Sequence, residues 1–407
     1  MSALPLDARF EQAKARFLDG LACFQTGRFA DAEQHYLASL ALLPERASTL
    51  INLAAAQLQL SHPAEALATA DKALALEPDS ADALIHRATA LQQLGRFDDA
   101  LRAFNQLLAI DGATAEGWLR HAQTLERLGR PTEALTSFER VLALDPAHAQ
   151  AWSGSGTLLR ELLRLDEAAH AFREALRHGA DPELHAYYLS SVDGQRAPST
   201  APRAYVQTLF DDYADEFDEH LVGQLHYQAH RQLIGALASL ARGPYRSALD
   251  LGCGTGLCGP LVRPMVERLT GLDLSPRMLE KARALGVYDR LEHADVVEHL
   301  SRTAERHDLV LAADVFIYVG DLDPVFSAVR RVMDRGVFCF SVELVENNSA
   351  AEFQLLSSLR YAHSEAYLHR LAAQHGFEIL DLRRAPVRQD QRESIDGLFA
   401  YLAPIVV

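Results

Sequence analysis

Leu249-Asp250-Leu251-Gly252-Cys253-Gly254-Thr255-Gly256 is the stretch whose reading decides the fold of the second half of the chain. It follows a polar break, Arg242-Gly243-Pro244, and begins with an apolar run, Ala248 to Leu251, short enough for a buried parallel strand. A helix-like apolar segment, Leu257 to Leu269, comes next. A strand that turns through glycines into a helix brings bare backbone N–H groups and a helix N-terminus up to a ligand. Asp250, at the strand's end, would accept hydrogen bonds from a cationic or hydroxyl-bearing group. A dinucleotide fingerprint needs its third glycine at position 257, which is Leu. The glycines stand at 252, 254 and 256, a spacing suited to a ligand without a pyrophosphate.

Outward from this turn, short apolar runs alternate with amphipathic segments, the pattern of a parallel α/β sheet. Strands are expected at Ser247–Leu251, Leu269–Leu274, Arg290–Val296, Leu309–Phe316 and Val337–Val342, with helices at Pro276–Leu285, Leu322–Met333 and Ser364–His375. Two last strands, Phe377–Leu382 and Gly397–Leu402, are separated only by a loop and read as an antiparallel edge hairpin. The expected fold is a doubly wound, Rossmann-like α/β sheet of seven strands. Ligands of such sheets lie outside the carboxyl ends of the strands. There stand Asp273, 23 residues after Asp250 and able to accept two ribose hydroxyls, then Asp295 with Val296, then Ala313 with Asp314. Any one of these acids reads equally well as the cap of the next helix. Their succession points to a ligand.

The first half is a repeat array. Gly27, Ser61, Gly95, Gly129 and Leu163 stand 34 residues apart, and an Ala follows five positions after each (Ala32, Ala66, Ala100, Ala134, Ala168). Tyr36, Ala70, Phe104, Phe138 and Phe172 come four further on, while Gly20, Ala54, Ala88, Ala122 and Gly156 mark a helix crossing point. Small residues let two antiparallel helices approach, the aromatic ring fills the gap, and stacked neighbours make the core. These five repeats, residues 13–182, resemble the tetratricopeptide repeat, an all-α solenoid. Residues 183–191 read as its capping helix, with Tyr187, Tyr188 and Leu189 available to pack on the fifth repeat. The array and cap would occupy 1–191.

By that resemblance, groove-facing pairs are Phe17 and Leu21, Ile51 and Ala55, Ile85 and Thr89, Leu119 and Gln123, Ser153 and Thr157. This surface is apolar at its N-terminal end and polar towards Arg160 and Glu161, without the Lys and Asn of arrays that clamp acidic tails. It is expected to hold a peptide segment or a protein surface; the alternative is that the array only mediates self-association, giving a homo-oligomer, or packs on the second domain. Residues 192–203, poor in apolar side chains and rich in turn formers, read as the linker to a second domain over 204–407.

A formal net charge of −16 argues against a general nucleic-acid grip. The four cysteines are scattered, no run approaches a membrane span, and no basic and apolar leader opens the chain, so the expected location is cytoplasmic.

Leu249 to Gly256, Leu272-Asp273-Leu274-Ser275-Pro276-Arg277-Met278, and Ala294-Asp295 together resemble the class I S-adenosylmethionine-dependent methyltransferases, over roughly residues 204–405. The resemblance implies that Gly252, Gly254 and Gly256 line the methionine part of S-adenosyl-L-methionine. It also implies that Asp273 holds the ribose, Met278 lies against the adenosine, and Asp295 meets the adenine amino group. Phe210, Tyr213, Phe217 and Leu221 share one helical face, and in the family a similar aromatic–Asp stretch forms a lid, which puts Tyr213 nearest the ligand. Combined with the repeats, the chain looks like bacterial methyltransferases that carry N-terminal tetratricopeptide repeats.

Methyl transfer from a sulfonium needs positioning and water exclusion more than a metal or a strong base. No metal-ligand spacing is present, and Ala313-Asp314-Val315-Phe316 lacks the Asn/Asp-Pro-Pro-aromatic signature of base and glutamine amide methylases. Tyr361 and His363, after the fifth strand, are the candidates for acceptor contact, with Ser364 as a helix cap. Cys258 reads as a reactive thiol or, alternatively, as packing. The expected function is a methyltransferase whose repeats bind its protein or peptide acceptor. The alternatives are a small-molecule methyltransferase with repeats for assembly, or a non-catalytic cofactor-bound scaffold.

Overall fold

Every 34 residues the first part of the chain folds back as a helix pair: Leu6–Gln25 with Phe29–Leu42, Ala47–Gln59 with Pro63–Leu76, Ala81–Gln93 with Phe97–Ile110, Ala115–Arg127 with Pro131–Leu144, and Ala149–Glu161 followed by Leu165–Arg177. The computed structural model describes residues 6–110, 112, 114–194, 197–215, 217, 227–240, 242–345, 351–390 and 393–405. Leu221 of the expected lid lies outside them. The small residues act as the sequence implies. A methyl group on Gly20 would stand 2.6 Å from the Tyr36 ring, and one on Gly156 would stand 2.5 Å from that of Phe172. The turn between paired helices is left-handed in every repeat, at Gly27 (φ +75°), Gly95 (+71°) and Gly129 (+66°), and equally at Ser61 (+60°) and Leu163 (+57°). Repeat register imposes that conformation even on residues that resist it.

Contacts divide the chain into two units, Met1–Leu162 with His170–Ala180, and Leu163–Ala169 with Asp181–Val407. The division falls ahead of helix Pro182–Ser190, where the sequence reading put the boundary at 192–203. Within the second unit the Tyr187 hydroxyl donates to the Leu359 carbonyl (2.6 Å), and its ring lies 6.2 Å from that of Tyr361. The stretch 197–201 is likewise tied down. The Ser199 carbonyl accepts from the N–H groups of Gly320 and Asp321, and Ala201 N–H donates to the Tyr318 carbonyl (2.9 Å). Backbone pairing of this kind needs no apolar side chain, which is why a linker-like composition concealed it.

The second unit is built on one sheet. Strands β1 (Tyr245–Leu251), β2 (Val266–Asp273), β3 (Arg290–His293), β4 (Leu309–Ala312) and β5 (Val337–Leu344) run parallel in the order β3-β2-β1-β4-β5. Two short strands, β6 (Phe353–Leu355) and β7 (Tyr361–His363), extend it from the end of β5. The long antiparallel hairpin of β8 (Phe377–Asp390) and β9 (Glu393–Pro404) closes it, with β9 against β5. Side chains alternate between two cores. Leu249, Val310, Phe338 and Phe340 face one layer of helices, and Ala248, Leu309, Leu311 and Cys339 face the other. The chain reverses its direction of strand addition between β1 and β4, so ligand space opens above those two strands.

Several local expectations differ from the structure: among the described residues the sheet has nine strands where seven were expected, and β3 ends at His293, so that Val296 begins a helix. Leu257–Leu269 is no long helix: one turn, Gly259–Val262, and a tight turn, Arg263–Met265, precede β2. Pro264 has no N–H for the carbonyl four residues back, and its ring crowds that carbonyl. β4 ends at Ala312, so Ala313 and Asp314 lie beyond it, and Phe316–Tyr318 is a single tight turn. Tyr361 and His363 belong to a strand in place of a loop.

Candidate functional site

The turn after β1 runs through three left-handed glycines, Gly252 (φ +61°), Gly254 (+55°) and Gly256 (+94°). It is fastened to the neighbouring strand's end. Cys253 N–H donates to the Leu272 carbonyl (2.9 Å), and Gly254 N–H donates to Asp273 Oδ2 (2.8 Å). The other oxygen, Asp273 Oδ1, accepts from Ser275 N–H (2.8 Å). One carboxylate therefore sets two loops at once. Burial holds its pKa above the ordinary carboxylate value, although the N–H groups of Ser275, Gly254 and Leu274 pull the other way.

Asp250 is buried to 1% exposure on the side of the sheet lined by Ala248, Leu309 and Leu311. Its Oδ2 accepts from the Tyr288 hydroxyl (2.7 Å). Burial pushes its pKa up to about 7; the Tyr288 hydrogen bond opposes that rise, and the charge of Asp273 adds to it. Between the ordinary pKa near 4 and about 7 the folded protein holds a proton that the unfolded chain has released. Stability therefore falls as pH rises through that window, and the whole cost is present above it. Asp250→Asn, which keeps an acceptor for Tyr288, should stabilise the ligand-free protein by on the order of 2 kcal/mol at pH 8 and hardly at all at pH 4. Thermal melts at the two pH values check this; an equal gain at both would refute it.

Asp295 caps helix Val296–Arg302, its Oδ1 accepting from Glu298 N–H (2.9 Å), and it also lines a surface depression of about 400 Å³ with His293, Glu298, His299 and Arg302. Val296 and Met278 are buried, and Ala313 is half-buried. The cap engages Asp295 through Oδ1.

Helix Arg203–Tyr213 carries two of the four residues of the expected aromatic face, Phe210 and Tyr213, and Phe217 follows it. Phe210 lies 5.6 Å from Tyr318, after β4, and Phe217 lies 5.9 Å from Phe210 and 5.4 Å from Tyr213. Polar contacts fasten this helix to the segment after β2: Ser275 Oγ donates to Asp211 Oδ1 (2.5 Å), and Arg277 donates to the Asp211 carbonyl (2.7 Å). Lys281 and Arg277 also pair with Asp215 and hold its carboxyl below the usual range. The aromatic spacing identified the residues that pack together here. The Asp211–Ser275 and Asp215–Arg277 contacts, which join residues more than sixty positions apart, left no local signal.

Tyr361 and His363 are placed differently from the sequence expectation. Both have no exposure; Tyr361 donates to the Pro198 carbonyl (2.8 Å). His363 Nε2–H is shared between the carbonyls of Val319 (2.9 Å) and Gly320 (3.0 Å), and the ring stacks on Tyr367. Burial drives its pKa down to about 4, although the two carbonyls favour the charged form. It is a neutral pin beneath the loop after β4. His363→Ala orphans two buried carbonyls and opens a cavity, so a loss of about 2–4 kcal/mol in denaturant unfolding is expected. A variant of wild-type stability with a changed pH–rate profile would return His363 to the chemistry. Cys258 is buried, and burial raises its thiol pKa, which fits packing.

Three residues absent from the sequence reading join the site: Tyr288 on Asp250, and Arg388 and Glu343, paired at the end of β5. Arg360 adjoins a residue that was singled out; Arg388 lies far along a hairpin and carried no pattern.

Residues 248–336 match the family model of a methyltransferase domain, and residues 58–123 and 119–185 match models of the tetratricopeptide repeat. The chain carries a methyltransferase domain together with tetratricopeptide repeats. It is 42% identical over 86 residues to methyltransferase-like protein 27 of Homo sapiens, covering 20% of this chain and 35% of that protein. It is 27% identical over 172 residues to malonyl-[acyl-carrier protein] O-methyltransferase of Salmonella typhimurium, covering 42% and 66%. The chain thus spans about a third to two thirds of these curated relatives. Magnesium protoporphyrin IX methyltransferase of Synechocystis PCC 6803, solved with bound SAH, aligns at a TM-score of 0.40 and 16% identity, covering 50% of this chain and 99% of that one.

Proposed function

We propose that this chain is an S-adenosylmethionine-dependent methyltransferase and that its repeat array holds the protein or peptide that receives the methyl group. The observation that carries the first part is the glycine turn above β1, fastened through Gly254 N–H to Asp273 at the switch in strand order. Its residues fit the cofactor: a methyl group on Gly254 would meet no atom within 4 Å, so the turn faces open space. Gly252, Gly254 and Gly256 would lie along the methionine portion, Asp273 would take the ribose hydroxyls, and Asp295 with Val296 and Met278 would take the adenosine. When bound, the cofactor supplies a methyl group on a sulfonium for in-line displacement. Asp250, near neutral-pH titration in the ligand-free site, favours a cationic ligand, because a nearby positive charge draws its proton off. The aromatic lid, with Tyr213, excludes water from the site.

The array supports a partner with a basic side chain. In the fourth repeat the half-buried Glu126 carboxyl is pushed up to about 7, chiefly by burial and further by Glu161. An incoming Lys or Arg would favour the ionised carboxylate and so offset both effects. The test is label transfer from S-adenosylmethionine into a cell lysate by the full chain and by Glu126→Lys. Label in the protein fraction, reduced on the order of tenfold by Glu126→Lys, is expected (about 1.4 kcal/mol of lost partner binding). Label confined to small molecules and indifferent to Glu126→Lys would favour the reading in which the repeats serve assembly.

A further inference from the structure

We propose that Arg388 and Arg360, converging from opposite flanks on the carboxyl ends of β4 and β5, form the acceptor subsite and take a carboxylate carried by the acceptor. The word acceptor rests on the methyltransferase reading above; the carboxylate rests on the geometry. β5 ends with Glu343, which is buried. The β8–β9 hairpin, irregular between Pro386 and Arg388, brings Arg388 over it, and the residue before β7 brings Arg360. Arg388 is 3% exposed, and its Nη2 donates to Glu343 Oε1. Its Nη1 stands 3.7 Å from Asp314 Oδ2, too far for a hydrogen bond. Neither Nη1 nor Nε has a hydrogen-bond partner, although both atoms are buried. Arg360 Nη1 stands 3.9 Å from Glu343 Oε1, and Arg360 is bonded to Tyr318. Its side chain keeps 24% exposure, and this is the mouth of the cluster.

What the cluster lacks is acceptors. A guanidinium has five N–H donors and nothing to receive a proton, so a ligand that completes it must present oxygens. Two guanidinium forks that share Glu343 as a neighbour suit a carboxylate, which accepts two parallel N–H bonds. Charge limits the choice further. Glu343 and Asp314 already offset the two arginines, so the ligand's own charge is balanced only by the cationic methyl donor. One negative charge can be accommodated that way; the two of a phosphate monoester cannot. Asp314 is held in a left-handed conformation (φ +60°) with its N–H on Ser341 Oγ (2.8 Å), which fixes its position beside Arg388.

The methionine carboxylate of the cofactor has the same chemistry, and the experiment separates the two sources. The first arm measures S-adenosylhomocysteine affinity by calorimetry for the full chain, for Arg360→Gln, and for Arg388→Gln combined with Glu343→Gln so that no buried charge is stranded. Affinities within threefold of one another are expected. A tenfold or greater loss would give the arginines to the cofactor and overturn the proposal. Retained binding also shows that the variants fold and that the cofactor reading stands apart. In the second arm, with S-adenosylmethionine saturating, acetate and benzoate should raise the melting temperature of the wild-type protein and bind at least tenfold more weakly to both variants. Acetamide and methylamine should do nothing. Equal stabilisation of wild type and variants, or none in the wild type, would overturn the subsite.

Discussion

Gly254→Ala should weaken cofactor binding on the order of 100-fold while the protein stays folded, and the same change at either neighbouring glycine should damage the turn itself. All three glycines have positive φ, so an alanine at any of them costs about 1–2 kcal/mol of backbone strain. They differ in what the new methyl group meets. At Gly252 it lies 2.7 Å from Val315 Cγ2, and at Gly256 it lies 2.8 Å from Leu285 Cδ1 and 3.1 Å from the Tyr288 ring. At Gly254 it meets nothing within 4 Å. Space kept clear of protein at the centre of a fastened turn is the space a ligand occupies. The expected result is a loss of about 1 kcal/mol in unfolding for Gly254→Ala, against an S-adenosylhomocysteine affinity weakened on the order of 100-fold (about 2.7 kcal/mol). Gly252→Ala and Gly256→Ala should lose stability and binding together. Calorimetry beside urea melts reads both quantities. Binding by Gly254→Ala within threefold of wild type would remove the turn from the cofactor site.

The turn was legible because its demands are local. Left-handed backbone calls for glycine, and a parallel strand buried on both faces calls for a mostly apolar run, so residues 248–256 betray both, with Asp250 the one exception in the strand. The array was legible for the same reason, repeated: a 34-residue period needs only the chain's own register. Asp273 and Asp295 could be placed because strands and helices alternate, which fixes where strand ends fall. What stayed hidden depends on approach between distant segments. Tyr361 and His363 lie one residue and three residues from Arg360, and nothing in Arg360-Tyr361-Ala362-His363 says which side chain faces the site. Pairing with β5 decides it, burying Tyr361 and His363 against carbonyls while Arg360 stays part-exposed. The stretch 197–201 reads as linker by composition because its order comes from backbone bonds to residues 318–321, more than a hundred positions later.

The second large effect concerns Asp273, and the contrast with Asp295 gives it meaning. Both acids stand at the ends of neighbouring strands, and both read from sequence as ligand contacts or caps. The structure gives them unequal work. Asp295 accepts one N–H at the start of a helix, and its loss should cost about 1 kcal/mol, as for other caps. Asp273, 8% exposed, accepts from Gly254 and Ser275 with separate oxygens. Asp273→Ala leaves two donors without partners, at about 1–3 kcal/mol each, and frees the glycine turn from its neighbour. It also removes the group proposed to take the ribose hydroxyls. Unfolding free energy should fall by about 2–4 kcal/mol, and S-adenosylhomocysteine affinity by on the order of 1,000-fold; Asp295→Ala should weaken binding by about tenfold. Asp273→Asn should fall between, since its amide keeps one acceptor but turns an NH2 group towards the other N–H. If Asp273→Ala and Asp295→Ala lost affinity equally, the fastening of the turn would carry none of the binding. Asp273 would then be a cap like its neighbour.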